Sequence, residues 1–223
     1  REEFDRISKQ SERMADIINH MRVFSRQEDG STGSFNPIEC VDAAASMVRE
    51  QYRLDGIEVR TVLPKVAPRI SGQPIRLEQV VLNLLANARD AVFSQKEMLV
   101  DGAGDRSRIE GGLIEVSAFV ANDQNDPESR ERLEELVINV SDNGGGIPEE
   151  DLNQVFEPFF TTKRAGQGTG LGLAIGFSII SAMGGTISVA NGARGAVFEI
   201  RLPVAEPAAA TEPEIPQDSA ADR

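Results

Sequence analysis

The sequence predicts an α+β chain, one long helix followed by a domain of mixed helices and strands. Three observations carry that reading. Glu3 to Arg26 contains no Gly or Pro, and its apolar residues recur at helical spacing. Short alternating runs at Ile57–Leu63, Leu113–Val120, Leu136–Val140, Ile187–Val189 and Ala196–Leu202 read as strands set among helices. Glycine crowds into one stretch, at 144, 145, 146, 166, 168, 170 and 172, too densely and too locally to be filler.

Composition bounds the function. The 223 residues suffice for one sizeable domain plus an accessory segment, and a hydrophobic fraction of 40% permits a real core. Lys plus Arg is 23 against 36 Asp plus Glu, a formal charge of −13, which argues against nucleic acid or an anionic membrane surface as the main partner. Cys40 is the one cysteine, so an internal disulfide and a thiolate-rich zinc site are both ruled out. No apolar run approaches ~20 residues and no signal peptide is visible. A cytoplasmic setting is expected, with any membrane or sensory part lying outside this stretch.

Taken in order, residues 1–28 form the first unit. Ile7, Met14 and Met21 lie seven apart, with Ile17 and Phe24 three residues after the last two, a narrow seam that Gln10 interrupts. Such a seam suits helix-on-helix packing, and a lone helix of this length is marginal, so a dimeric bundle is expected. His20 flanks the seam between Asn19 and Met21, without the acidic neighbour that would polarise a phosphoacceptor imidazole. It reads as a surface residue.

Residues 29–36 are a Gly/Ser-rich linker, and the domain proper is expected over 37–203. Pro37–Leu54 reads as a helix burying Cys40, Val41, Ala44 and Val48, and Pro64 stops the strand that follows. Gly72-Gln73-Pro74 opens a second helix, to about Phe93, with two unlike faces. Leu77, Val81, Leu84, Leu85, Ala88 and Val92 make the apolar side; Arg76, Gln79, Asn83, Asn87 and Asp90 fall opposite. Solvated faces usually carry Lys and Glu, whereas two Asn one turn apart are poor helix formers and suggest a task. An amide oxygen is a hard ligand suited to Mg²⁺ shared with substrate phosphates. Ser94–Gly112 reads as a polar excursion and Asn122–Glu135 as a long solvated connection. Leu171–Met183 is the last helix, Asn191-Gly192 signals a hairpin, and 204–223 is a disordered Ala/Pro/Glu tail.

The glycines belong to three linked segments: Ser141-Asp-Asn-Gly-Gly-Gly-Ile-Pro148, Phe156-Glu-Pro-Phe-Phe-Thr-Thr-Lys163, and Gly166-Gln-Gly-Thr-Gly-Leu-Gly-Leu173. Glycine lets a backbone approach a ligand closely, and glycine N–H groups leading into a helix start form an anion cradle. This stretch is read as holding a nucleotide. Asp142, at a strand end, can accept the amino protons of adenine, where guanine would present a repelling carbonyl. A turn-capping Asp is the plain alternative, and Asp-x-Gly-x-Gly alone would be weak. Neither a dinucleotide fingerprint nor a P-loop occurs.

Asn83-Leu-Leu-Ala-Asn87-Ala, Asp142-x-Gly144-x-Gly146, Phe156-x-x-Phe159-Phe160 and Gly168-Thr-Gly170-Leu-Gly172-Leu, in that order, resemble the catalytic ATP-binding domain of bacterial sensor histidine kinases, within the GHKL superfamily. The resemblance spans Phe35 to Pro203, and the N-terminal helix is similar to the second helix of that family's dimerisation hairpin. It implies a two-layer α/β sandwich of the Bergerat type, a mixed β-sheet packed on helices with ATP between the layers. By motif, Asn87 would be the Mg²⁺ ligand and Asn83 would lie beside the phosphates. Asp142 would fix adenine, with Gly144, Gly146 and Ile147 against the base. Gly168, Thr169, Gly170, Leu171, Gly172 and Leu173 would wrap the phosphates.

Thr162, Lys163 and Arg164 would belong to a short lid, with Phe156, Phe159 and Phe160 anchoring it; Thr162 and Phe156 count among the expected nucleotide-binding residues. Many members carry a basic residue three positions beyond the Mg²⁺-binding Asn. Here that position is Asp90, which leaves Lys163 and Arg89 as candidate cations for the γ-phosphate.

The resemblance implies transfer of the γ-phosphate to a histidine on a helix expected upstream of Arg1, and onward to an aspartate of a response regulator. Hydrolases of the same fold carry a Glu one turn before the Mg²⁺-binding Asn to activate water. Here that position is Asn83, which cannot act as a base, and this favours transfer over hydrolysis. The alternative is a nucleotide-binding regulatory module, or an ATPase, without phosphotransfer.

Overall fold

The computed structural model describes residues 33–101, 111–122, 134–163 and 168–204. The long helix read over 3–26, His20, Arg164 and the tail beyond Val204 lie outside them. In chain order the elements are β1 (Gly33–Phe35), α1 (Pro37–Leu54), β2 (Ile57–Val62), β3 (Ile70–Gly72), α2 (Pro74–Asp101), β4 (Gly112–Asn122), β5 (Glu134–Asp142), α3 (Gly172–Ala182), β6 (Thr186–Asn191) and β7 (Ala196–Pro203).

The main sheet has five strands in the order β2-β4-β5-β7-β6. β2 and β4 run parallel, with Ile57 opposite Gly112, because the chain crosses over through α2 between them. The other pairs are antiparallel. A three-residue ribbon, β1 against β3, sits apart. The sheet is mixed and packs on the helices along one face, as the resemblance implies.

Period-two alternation decides which face is buried. Ile114, Val116, Ile138, Val140, Phe198, Ile200 and Leu202 point into the core, where they meet Val41 and Ala44 of α1, Leu77, Val81, Leu84, Leu85 and Val92 of α2, and Ile175, Ile179 and Ile180 of α3. The opposite face is polar and laced by ion pairs: Arg60 with Glu58 at 3.0 Å, and Arg201 with Glu199 at 2.8 Å and Glu135 at 3.3 Å. Such exposed pairs add little to stability and mainly keep this face wetted.

Helix α1 starts and stops where the sequence dictates. The Asn36 side chain accepts from Ile38 N at 3.1 Å, Pro37 occupies the first turn, and Gly56, at φ 72°, reverses the chain after Asp55. Three expectations need correction. Residues 33–35, assigned to a linker, pair with 70–72. Helix α2 continues eight residues past Phe93, through a Gly- and Pro-free run, to Asp101. The turn between β6 and β7 is not the two residues Asn191-Gly192: Asn191 is the last residue of β6 and pairs with Ala196 across a four-residue loop closed by Gly192 N to Gly195 O at 2.8 Å.

Candidate functional site

Helix α2 is the wall on which the sequence-predicted residues converge. At one end is the turn after β5. Gly144 lies so close to α2 that a Cβ there would sit 2.6–2.7 Å from Ala91 and from the nitrogen of Val92. Any side chain would push the turn off the helix. Gly145 and Gly146 follow at φ 87° and 84°, a conformation that glycine adopts freely.

Asp142 organises this turn. Its Oδ1 accepts from Gly144 N at 2.8 Å and Ala196 N at 3.4 Å, so one carboxylate oxygen ties β5 to the start of β7. Burial pushes the carboxyl up, and the two backbone N–H groups pull it partly back. Oδ2 takes part in neither bond, which leaves an acceptor of the kind an amino group on a purine needs.

Two asparagines that sequence reasoning passed over brace the same turn. Asn191 accepts from Ile147 N at 2.9 Å and donates to Ile147 O at 2.7 Å, holding the backbone of that residue at both its N–H and its carbonyl. Asn143 accepts from Leu113 N at 2.9 Å and donates to Gly111 O at 3.0 Å, fixing the start of β4. Asn191 was readable only as a turn residue, because nothing local distinguishes a tertiary clamp from a hairpin signal.

At the other end of the wall, the Asn83 amide donates to Gly172 O at 3.4 Å, and a Cβ on Gly172 would lie 3.7 Å from its amide carbon. Asn83 therefore docks the last glycine box and the start of α3 onto α2. The N-cap position of α3, Leu171, supplies no side-chain acceptor; its own N–H donates to Thr169 Oγ1 at 3.4 Å. An uncapped helix start of this kind suits an anion. Gly170, at φ 65°, accepts from Phe159 N at 2.8 Å and joins the glycine box to the Phe segment. Phe159, at φ 69°, is the one non-glycine residue in the left-handed region among those described. Leu171, Leu173 and Ile147 lie half-buried against the core.

Between the two ends, Lys163 reaches back to α2. Its Nζ lies 3.2 Å from Asn87 Oδ1 and 2.6 Å from Asp90 Oδ2. Thr162 is exposed beside it, and Gly168 faces Thr161 and Lys163. The two expected γ-phosphate cations thus part company. Arg89 lies on the flank of α2 that meets α1: its Nε is 3.3 Å from Asp55 Oδ2, and its guanidinium stacks on Tyr52 and Phe93 at 5.4 and 5.1 Å. Arg89 stands two residues on from Asn87, about 200° further around the helix, and so packs toward α1. Phe156 packs on Phe177 at 5.9 Å and edge-on to Phe198 at 6.4 Å, partly buried against the core.

The donor set suits the implied Mg²⁺. Asn87 Oδ1 already faces a cationic group, the Lys163 ammonium, so an oxygen aimed at positive charge is in place. Among the described residues no group of three or more His, Cys, Asp or Glu could hold a metal alone. No described helix is long and apolar enough to cross a membrane.

Residues 72–206 match the family model described as histidine kinase-, DNA gyrase B-, and HSP90-like ATPase. The two-component sensor PprA of Pseudomonas aeruginosa is 36% identical over 94% of this chain, and the C4-dicarboxylate transport sensor protein DctB of Rhizobium meliloti is 34% identical over 90%. The chain spans only 20% and 28% of those two proteins' lengths. Among solved structures, the catalytic domain of histidine kinase ThkA superposes with TM-score 0.58 at 26% identity, covering 78% of this chain and 99% of that one. Full-length ShkA, in complex with AMPPNP, gives 0.62 at 25% identity, covering 87% of this chain and 35% of that one. The asparagine helix, the two glycine turns that dock on it and these likenesses agree: the chain belongs to the histidine kinase-, DNA gyrase B- and HSP90-like ATPases, and the proteins it resembles include two-component sensors and histidine kinases.

Proposed function

We infer that this chain binds Mg-ATP along α2 and delivers the γ-phosphate to a histidine on a dimerisation-hairpin helix, from which it passes to an aspartate of a response-regulator receiver domain. The observation that carries the reading is the docking of both glycine turns on one helix, Gly144 against Ala91 and Gly172 against Asn83. That spacing lets one ligand present a base at Asp142 and a polyphosphate at the start of α3. Adenine is taken by Asp142, its half-buried carboxylate accepting the amino group that guanine lacks at that place.

Asn87 would hold Mg²⁺, which supplies charge neutralisation on the phosphates. Lys163, whose ammonium lies 3.2 Å from Asn87 Oδ1, would meet the γ-phosphate; phosphoryl transfer is mostly positioning and charge stabilisation, and a single ammonium on a flexible stem suits it. Water is not activated, because Asn83 spends its amide on Gly172 O and has no basic form at neutral pH. AMPPNP in the ShkA structure supports the nucleotide half of the reading. The setting is cytoplasmic, as a homodimer formed through the N-terminal helix.

The test has two stages. Calorimetry should show ADP and a non-hydrolysable ATP analogue binding in Mg²⁺, lost in Asn87→Ala. Labelled ATP, supplied with a longer chain that carries the preceding hairpin helix, should then place phosphate on its histidine. Binding without any transfer would leave a nucleotide-responsive regulatory module; absence of binding would refute the reading altogether.

A further inference from the structure

We propose that Asp90 is a second cation ligand of the nucleotide site, and that Lys163 is the tethered cation that fills this place until Mg²⁺ displaces it. The inference rests on the Mg-ATP reading above and adds to it a residue and an exchange. Asn87 and Asp90 stand three apart on α2, so their side chains project from adjacent places on one helix face. Their oxygens converge on a single point: one ammonium lies 3.2 Å from Asn87 Oδ1 and 2.6 Å from Asp90 Oδ2. A surface salt bridge would need the carboxylate alone. An amide oxygen and a carboxylate oxygen sharing one cation describe a site, and Mg²⁺ typically takes one or two carboxylates together with substrate phosphates.

Charge makes the same demand from the ligand side. A triphosphate at Asn87 brings several negative oxygens up to Asp90, and like charges at such range repel strongly in partly desolvated surroundings. A carboxylate is tolerable there with a cation between it and the phosphates. Without nucleotide, Lys163 is that cation. With nucleotide, a divalent ion takes its place and the ammonium is freed toward the phosphates, so a single lysine serves both states. Asp90 thereby makes nucleotide affinity strictly dependent on the divalent ion, where a basic residue at the same position would favour metal-free binding too.

The sign of one substitution separates this from a plain lysine anchor. Calorimetry on the 223-residue chain, with ADP titrated across MgCl₂ concentrations, reads the half-saturating Mg²⁺. In a Lys163→Gln background, Asp90→Asn should raise that concentration on the order of tenfold, the loss of one charged ligand. In EDTA the same substitution should tighten ADP severalfold, because the repulsion is gone. Lys163→Gln alone should lower the half-saturating Mg²⁺ severalfold. Asp90 and Lys163 side chains are 41% and 32% exposed, so neither change threatens the core, and thermal melts check folding.

If Asp90→Asn leaves the Mg²⁺ requirement unchanged or lowers it in the Gln background, Asp90 merely anchors Lys163 and the proposal falls. An unchanged requirement in Lys163→Gln alone sinks the exchange. Asn87→Ala keeps the two readings apart. If it leaves the Mg²⁺ dependence intact, the Mg-ATP assignment itself fails; if it abolishes it while Asp90→Asn does nothing, only the present proposal does.

Discussion

Gly144→Ala is the sharpest perturbation of the site, because the clash it makes is with backbone. The added Cβ would stand 2.6–2.7 Å from Ala91 and Val92 N, where comfortable carbon contacts lie at about 3.5–4.0 Å. Roughly 1 Å must therefore be found. Helix α2 cannot yield it, since Leu84, Leu85, Ala88 and Val92 are held at 0–3% exposure in the core. The turn must move instead, against Gly145 N on Arg194 O at 3.1 Å and the clamp of Asn191 on Ile147. Overpacking of this kind costs about 1–3 kcal/mol. At about 2–4 °C per kcal/mol for a chain of this size, the melting temperature should drop by roughly 2–12 °C.

Function should suffer more than stability, because the base end moves while the phosphate end stays. A calorimetric titration with ADP should show affinity falling at least tenfold. Adenosine alone, which needs only the base end, should lose less than ADP, which must span both. A variant melting within 1 °C of the parent and binding ADP equally well would refute the claim that this contact sets the spacing of the pocket.

Other expectations follow from the same geometry. Asp142→Asn should weaken adenine nucleotides by roughly 10- to 100-fold, the worth of a hydrogen bond to a charged group, and erode discrimination against GTP; calorimetry with both nucleotides checks this. The same variant should be the more stable protein without nucleotide at neutral pH. Burial raises the Asp142 carboxyl, so the folded state holds its proton more tightly than the unfolded chain, and stability is lost as pH rises through the folded value. The gain in melting temperature should shrink as pH falls toward the ordinary carboxylate range; a gain that persists there contradicts the cause. Arg89→Met should cost about 1–2 kcal/mol, discounted because both partners are about a third exposed, and shift ADP affinity less than threefold. Asn191→Ala removes two hydrogen bonds at Ile147 and should cost about 1–3 kcal/mol in a denaturant melt.

The sequence reveals those parts of the fold that local chemistry decides. Helix α1 runs over Pro37–Leu54 as read, because Asn36, Pro37 and Gly56 mark its ends. The polar stripe of α2 was visible as two asparagines where solubility alone would place Lys and Glu. Hidden were the features that need a partner far along the chain. β1 and β3 are three residues each, too short for alternation to register, and exist by pairing with each other. The extra turns of α2 lay in a polar run whose lack of Gly and Pro was the signal, outweighed by its composition. Arg89 and Lys163 were equivalent as charges; only the packing of α1 on α2 sends one to Asp55 and the other to Asn87.

The tip of the β6–β7 hairpin meets the turn after β5: Asn191 holds Ile147, Arg194 O accepts from Gly145 N and Ala196 N binds Asp142. On the proposed reading, base recognition and polyphosphate grip draw on separate stretches of the gene, so substitutions in this hairpin should change which base is accepted more than they change the far end.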